Sequence, residues 1–166
     1  MTSKPPSLRI TITRRRNKRP LLVCERADGS KTMAETNVGA EHDLAHYAVE
    51  TTLGYRRAFY GLLASGMDIG DFDVAGASTK IELPPEAGAT EFIVGLLEME
   101  LISGEAIADF NAELSRAMSN TRKPTAAPVI SDADLATMRE RVLALKRQWR
   151  ALPEGESITL DWVAPE

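Results

Sequence analysis

Leu8-Arg9-Ile10-Thr11-Ile12-Thr13 alternates apolar and polar residues without a break. Successive side chains of a strand point to opposite faces, so Leu8, Ile10 and Ile12 mark the inward side of a half-buried strand. Pro20-Leu21-Leu22-Val23-Cys24-Glu25-Arg26 reads as a second strand. Ala27-Asp28-Gly29-Ser30 then reads as a tight hairpin, because both residues of an Asp-Gly pair tolerate positive φ. Lys31 to Thr36 is the returning strand, less apolar and so expected at a sheet edge. Far along the chain, Ser157 to Val163 shows the same alternation, with Ile158, Leu160 and Trp162 on one side. Together these stretches predict an α+β fold. An N-terminal antiparallel β-meander over about 8–36 is joined by a C-terminal strand, with four to five helices packed on one face.

The helices are read from 3.6-residue spacing. Residues 41–66 keep that spacing, and a break at Gly54 makes them an αα pair whose Tyr55, Phe59, Leu62 and Leu63 face the core. Gly66 to Asp73 reads as an acidic loop whose Asp spacing lacks the terminal Glu of a calcium loop. Thr79 to Leu83 reads as a short strand. Ala89 to Ile102 is apolar on several faces, as a buried helix is, and Ile107, Phe110, Leu114 and Met118 stripe the next helix, to about Asn120. Residues 121–129, with Pro124 and Pro128, form the linker before a last helix and strand over about 131–163. Ser131 is placed as the N-cap of that helix, and Leu135, Met138, Val142, Leu145 and Trp149 form a seam for the core or for a homo-oligomer partner. At 166 residues the chain is expected to be a single domain, 1–166.

Composition narrows the setting. The 43% apolar and 27% charged content is that of a globular protein, and no apolar run reaches the roughly 18 residues that span a bilayer, so no membrane partner is expected. The N-terminal stretch lacks an apolar signal region, and Cys24 is alone and expected to be buried, so a reducing cytoplasm is the expected location. Net charge is −4, unevenly spread: residues 1–32 hold nine cations against two acids. Five of these cations, Arg14, Arg15, Arg16, Lys18 and Arg19, cluster between the first two strands. Such a cluster can bind phosphates of nucleic acid, but no aromatic residue interleaves it for base stacking, and a solvated hairpin tip is the simpler reading.

Glycine-rich nucleotide loops, a Gly-x-Ser-x-Gly elbow and cysteine zinc clusters are all missing, and no catalytic residue is identified. The one stretch that carries chemistry is His42-Asp43-Leu44-Ala45-His46-Tyr47-Ala48-Val49-Glu50, which holds both histidines of the chain. At about 100° per residue, His42, His46 and Glu50 fall on one line of a helix, and two imidazoles at i and i+4 can converge on a single divalent metal ion such as zinc. Glu50 is a third ligand or a carboxylate that fixes an imidazole tautomer, whereas Asp43 suits the positive start of the helix. A distant acid has to complete the coordination sphere.

The pattern His-Asp-Leu-x-His-Tyr-x-Val-Glu, followed by Leu53-Gly54-Tyr55 and Phe59-Tyr60-Gly61-Leu62, resembles one found in small uncharacterised bacterial proteins of no known activity. It is also similar to the His-Glu-x-x-His motif of zincins, with Asp in place of Glu and no third His. The expected function is a structural or interaction module with a polar site on the first helix. The alternatives are a metal-dependent, hydrolase-like protein using His42 and His46, and nucleic-acid binding through Arg14–Arg19.

Overall fold

Alternation along the first strand is realised as β1 (Ser7–Thr13), with Leu8, Ile10 and Ile12 buried. In the computed structural model, which describes residues 4–75 and 82–166, β1 is followed by β2 (Leu21–Arg26) and β3 (Lys31–Glu35). Six helices come next: α1 (Ala40–Leu53), α2 (Phe59–Ala64), α3 (Ile69–Ala75), α4 (Pro85–Ser103), α5 (Phe110–Ser119) and α6 (Asp132–Ala151). The chain returns to the sheet as β4 (Ser157–Val163). The sheet has the order β3-β2-β1-β4 and is antiparallel throughout, so β1 is paired on both sides and β3 lies at an edge as expected. The fold is α+β.

The hairpin after β2 differs from the expected two-residue turn. Only Gly29 takes positive φ (85°), with its N–H donating to the Arg26 carbonyl at 2.9 Å and Arg26 N–H to the Ser30 carbonyl at 2.8 Å. This is a three-residue turn closed by one left-handed glycine, with Asp28 accepting from Ser30 instead of going left-handed itself. A second difference is α3, where an acidic loop was expected. Asp71 accepts from Asp68 N–H at 2.9 Å, one half of a capping box, which starts a helix that carries Ile69 and Phe72 toward the core. The short strand expected over Thr79–Leu83 falls mostly outside the described residues, and Glu82 and Leu83 are irregular.

Helix α1 ends at Gly54, left-handed at φ 66°, as the sequence implies. The chain then turns so tightly that a Cβ on Gly61 would stand 2.0 Å from the Arg56 carbonyl oxygen, which leaves glycine as the residue that fits. Two apolar clusters result. One joins the sheet to α1 and α2 through Ile10, Leu22, Cys24, Leu44, Tyr60 and Trp162, and the other joins α1 to α4, α5 and α6 through Ala48, Val49, Ile93, Leu114 and Met138. Helix α1 is thus buried from both sides.

The α6 seam belongs to this core. Leu135, Met138, Val142 and Trp149 are all buried within the chain, so the side chains considered for a partner subunit already pack at home. Ser131 caps α6 by accepting from Asp134 N–H at 3.1 Å. The linker is held at its end by Asn111, which bonds both the N–H and the carbonyl of Ile130. Among the described residues no helix is long and apolar enough to cross a membrane.

Arg14 closes the structure. From the end of β1 its guanidinium donates to the Leu152 carbonyl at 2.7 Å and the Trp149 carbonyl at 3.3 Å, over the Trp149 ring. A cation there adds a donor to carbonyls at the end of α6, where the helix's own N–H groups run out. We expect Arg14→Met to lower unfolding free energy by about 2 kcal/mol in urea titrations, and Arg16→Ala, at an exposed site, by less than about 0.5 kcal/mol. Equal small effects would contradict this anchoring role.

Candidate metal centre

His42 and His46 stand one turn apart on α1, and α4 crosses that face of the helix. Their Nε2 atoms lie 3.2 Å from each other. From α4, the Glu91 carboxylate reaches both: Oε1 is 3.1 Å from His46 Nε2 and Oε2 is 3.7 Å from His42 Nε2. One donor atom from each of the three residues can be chosen so that all lie within 4.8 Å of one another. Zinc–nitrogen and zinc–oxygen bonds of about 2.0–2.1 Å at tetrahedral angles set neighbouring donors about 3.3 Å apart. The two imidazole nitrogens match that edge at 3.2 Å. The 3.1 and 3.7 Å contacts belong to the two different oxygens of Glu91, so the carboxylate faces both imidazoles and a modest shift of one oxygen would complete a tetrahedral face.

The surroundings orient these donors. His42 Nδ1 lies 3.0 Å from Glu98 Oε1, two turns along α4 from Glu91. With Nδ1–H donated to Glu98, Nε2 is the nitrogen of His42 that faces Glu91 and His46, and once deprotonated it would present its lone pair as metal-ligating histidines do. His46 is buried, and its ring meets Phe59 with centroids 5.8 Å apart. Its Nδ1 has no hydrogen-bond partner, and Glu50 Oε2 stands 3.9 Å away.

Glu50 itself is placed differently from a ligand. Fully buried, it accepts from Tyr60 N–H at 2.9 Å and Gly61 N–H at 3.4 Å, satisfying amides at the start of α2. The line of His42, His46 and Glu50 exists as the helical spacing predicts. Its last member, however, faces the start of α2, and Glu91 is the carboxylate that meets the imidazoles. Asp43, favourable near the helix start, also has a second setting: its carboxyl is largely buried, with Oδ2 unpartnered.

Burial and partners shift the acids and the base strongly. Hydrogen bonding to Glu91 raises His42 to about 9, against the opposing pull of burial and with the charge of Glu98 assisting. Burial would raise Glu91, but its bonds from His42 and His46 outweigh that and hold it well below the usual carboxylate range. Burial pushes Asp43 up to about 7 and Glu50 up to about 8, the latter against the bonds from Tyr60 and Gly61.

A cavity of about 160 Å³ opens beside the donors, walled by the end of β3 and the chain after it, by α1, and by Phe59, Ile69 and Phe72. The basic cluster does not line it and is partly engaged. Arg14 holds the α6 carbonyls, Arg15 bonds the Arg19 carbonyl at 2.8 Å and Glu35 at 2.7 Å, and Arg16, Lys18 and Arg19 are exposed. Sequence reading missed Glu91 and Glu98. Their signal is their spacing of seven on an otherwise apolar stretch, Phe92 to Leu97, which sets both acids on one side of a helix that has little other polarity. No known family model, curated protein or solved structure matches this chain.

The shift at Glu50 makes a testable statement about the metal-free protein. Its pKa is near 4.5 when unfolded and about 8 when folded, so between those values the folded chain keeps a proton that the unfolded chain has lost. Stability therefore falls as pH rises through that window, at up to about 1.4 kcal/mol per pH unit. Urea unfolding of Glu50→Gln from pH 5 to 8 is expected to show a flatter decline than the parent protein. Parallel profiles would refute the burial of a titrating Glu50.

Proposed function

We propose that this protein binds one divalent transition-metal ion, zinc by its donor set, through His42 Nε2, His46 Nε2 and the Glu91 carboxylate, and that it is a metal-dependent, hydrolase-like protein. The observation that carries this reading is the convergence of two imidazole nitrogens 3.2 Å apart with one carboxylate from a second helix, whose two oxygens stand 3.1 and 3.7 Å from them. Two imidazoles and one carboxylate are a ligand set of catalytic zinc sites, which keep a fourth position for water or substrate. A zinc ion bound there lowers the pKa of its water and so supplies a nucleophile at neutral pH. The protein's part is to hold the donors. Glu98 fixes His42, Glu50 lies beside His46, and Phe59 and Phe72 give the cavity an apolar wall.

A rival reading has the His42–Glu98 bond in its favour: the same residues form a polar clamp that locks α1 to α4 in an interaction module. The two readings part on metal uptake. Protein purified without a histidine tag and titrated with zinc is expected to take up about one equivalent. Uptake is expected to be lost in His46→Ala and Glu91→Ala, with affinity about 10–100-fold weaker in Glu98→Gln. Less than about a tenth of an equivalent after titration, with unfolding unchanged by chelator, would leave the clamp as the surviving reading.

A further inference from the structure

The cavity beside the donors contains polar atoms that the metal reading leaves without a role. Thr36, 6% exposed, has an unpartnered Oγ1, and Asp43 has an unpartnered, buried Oδ2. Both residues line the cavity that His42, His46 and Glu91 also line. Buried polar groups in folded proteins are nearly always paired, so two orphans on one cavity wall mark a place for the polar groups of a ligand. The third unpartnered atom, His46 Nδ1, looks instead toward Glu50. Across the cavity the wall is apolar: Phe59 and Phe72 meet edge to face with centroids 4.8 Å apart. A volume of about 160 Å³ is close to that of an engineered cavity known to hold a benzene ring.

Resting on the metal reading, we infer that this cavity takes a small amide. Its carbonyl oxygen goes to the open metal position, its N–H is accepted by the Asp43 carboxylate, and an apolar substituent of about ring size lies against Phe59 and Phe72. The choice among oxygen ligands follows from Asp43. A divalent ion bound at the adjacent His42 would hold Asp43 ionised and so an acceptor only. A free carboxylate would then set a like charge beside it, and an ester offers it no donor, whereas an amide carries an acceptor and a donor on adjacent atoms. The Thr36 hydroxyl can donate or accept and so serves either edge of the group. Asp43 directly follows the ligand His42 on α1 and lines the same cavity as His42, His46 and Glu91, which puts the accepting group and the donors on one wall.

Phenylacetohydroxamic acid tests this, since it chelates zinc through two oxygens, keeps one N–H and carries a single ring. Its N-methyl derivative lacks the N–H. Zinc stoichiometry of the full chain is measured first, and the affinity of both compounds is then read by calorimetry on the loaded protein. We expect N-methylation to weaken binding at least about tenfold in the parent protein and less than about threefold in Asp43→Ala, as removal of a hydrogen bond to a charged group implies. Thr36→Val is expected to weaken the unmethylated compound while leaving zinc uptake intact. Normal zinc uptake with equal affinity for the two compounds in the parent protein overturns the amide inference and leaves the metal reading standing, without need of any variant. A methylation penalty of the same size in the parent and in Asp43→Ala overturns it as well. Failure to take up zinc overturns both.

Discussion

The pairing of β1 on both of its edges is the constraint on which the rest of the molecule depends. On one side β1 meets β2 from Leu8↔Arg26 to Thr13↔Leu21, a neighbour the chain reaches by a short turn. On the other it meets β4 from Ser7↔Val163 to Thr13↔Ser157, and that partner arrives only after all six helices have been laid down. Bringing β4 home forces α6 across the molecule, where Trp149 joins the sheet-side cluster and Arg14 takes hold of the helix end. Helix α1 lies between this sheet and the α4–α5–α6 group and contributes to both apolar clusters.

That enclosure explains the electrostatics. On an exposed helix, two histidines and two acids would be solvated and unremarkable. Inside, each ionisable group needs a partner, because charge removed from water without one is costly. Glu50 finds its partners in the amides of Tyr60 and Gly61, His42 in Glu98 and Glu91, and His46 in Glu91. The buried side-chain atoms without a partner among the described residues belong to Thr36, Asp43 and His46, all three on the wall of one cavity. Two of these atoms, on Thr36 and Asp43, belong to the cavity, while His46 Nδ1 looks toward Glu50.

What the sequence made legible is what local periodicity encodes. The alternations of residues 8–13 and 157–163 named the inward side chains, because a strand's two faces are fixed by the pleat, although Leu160 is only partly buried. The Ser131 cap, the Gly54 end of α1 and the His42–His46 alignment are equally local. Helix α3 escaped because Gly66, Gly70 and the nearby aspartates carry loop signals, and it is the partial burial of Ile69 and Phe72 against the core, a tertiary effect, that rewards the helix. Glu91 escaped because helical spacing says which residues share a line but not which element will cross it. For the same reason Glu50 could be aligned with the histidines and still be turned toward a different neighbour.

One consequence of drawing the three donors from two helices concerns when the site exists at all. Unfolded, the chain presents at most two histidines, with Glu91 separated from them by a long and flexible stretch of polypeptide. The complete donor set appears only once α1 and α4 have docked, so the site is a property of the native state alone. By mass action, an ion taken up there would deepen the native basin in proportion to the logarithm of its free concentration. Folding and metal supply would then be linked variables, and the apparent robustness of the protein would report the composition of the solution around it.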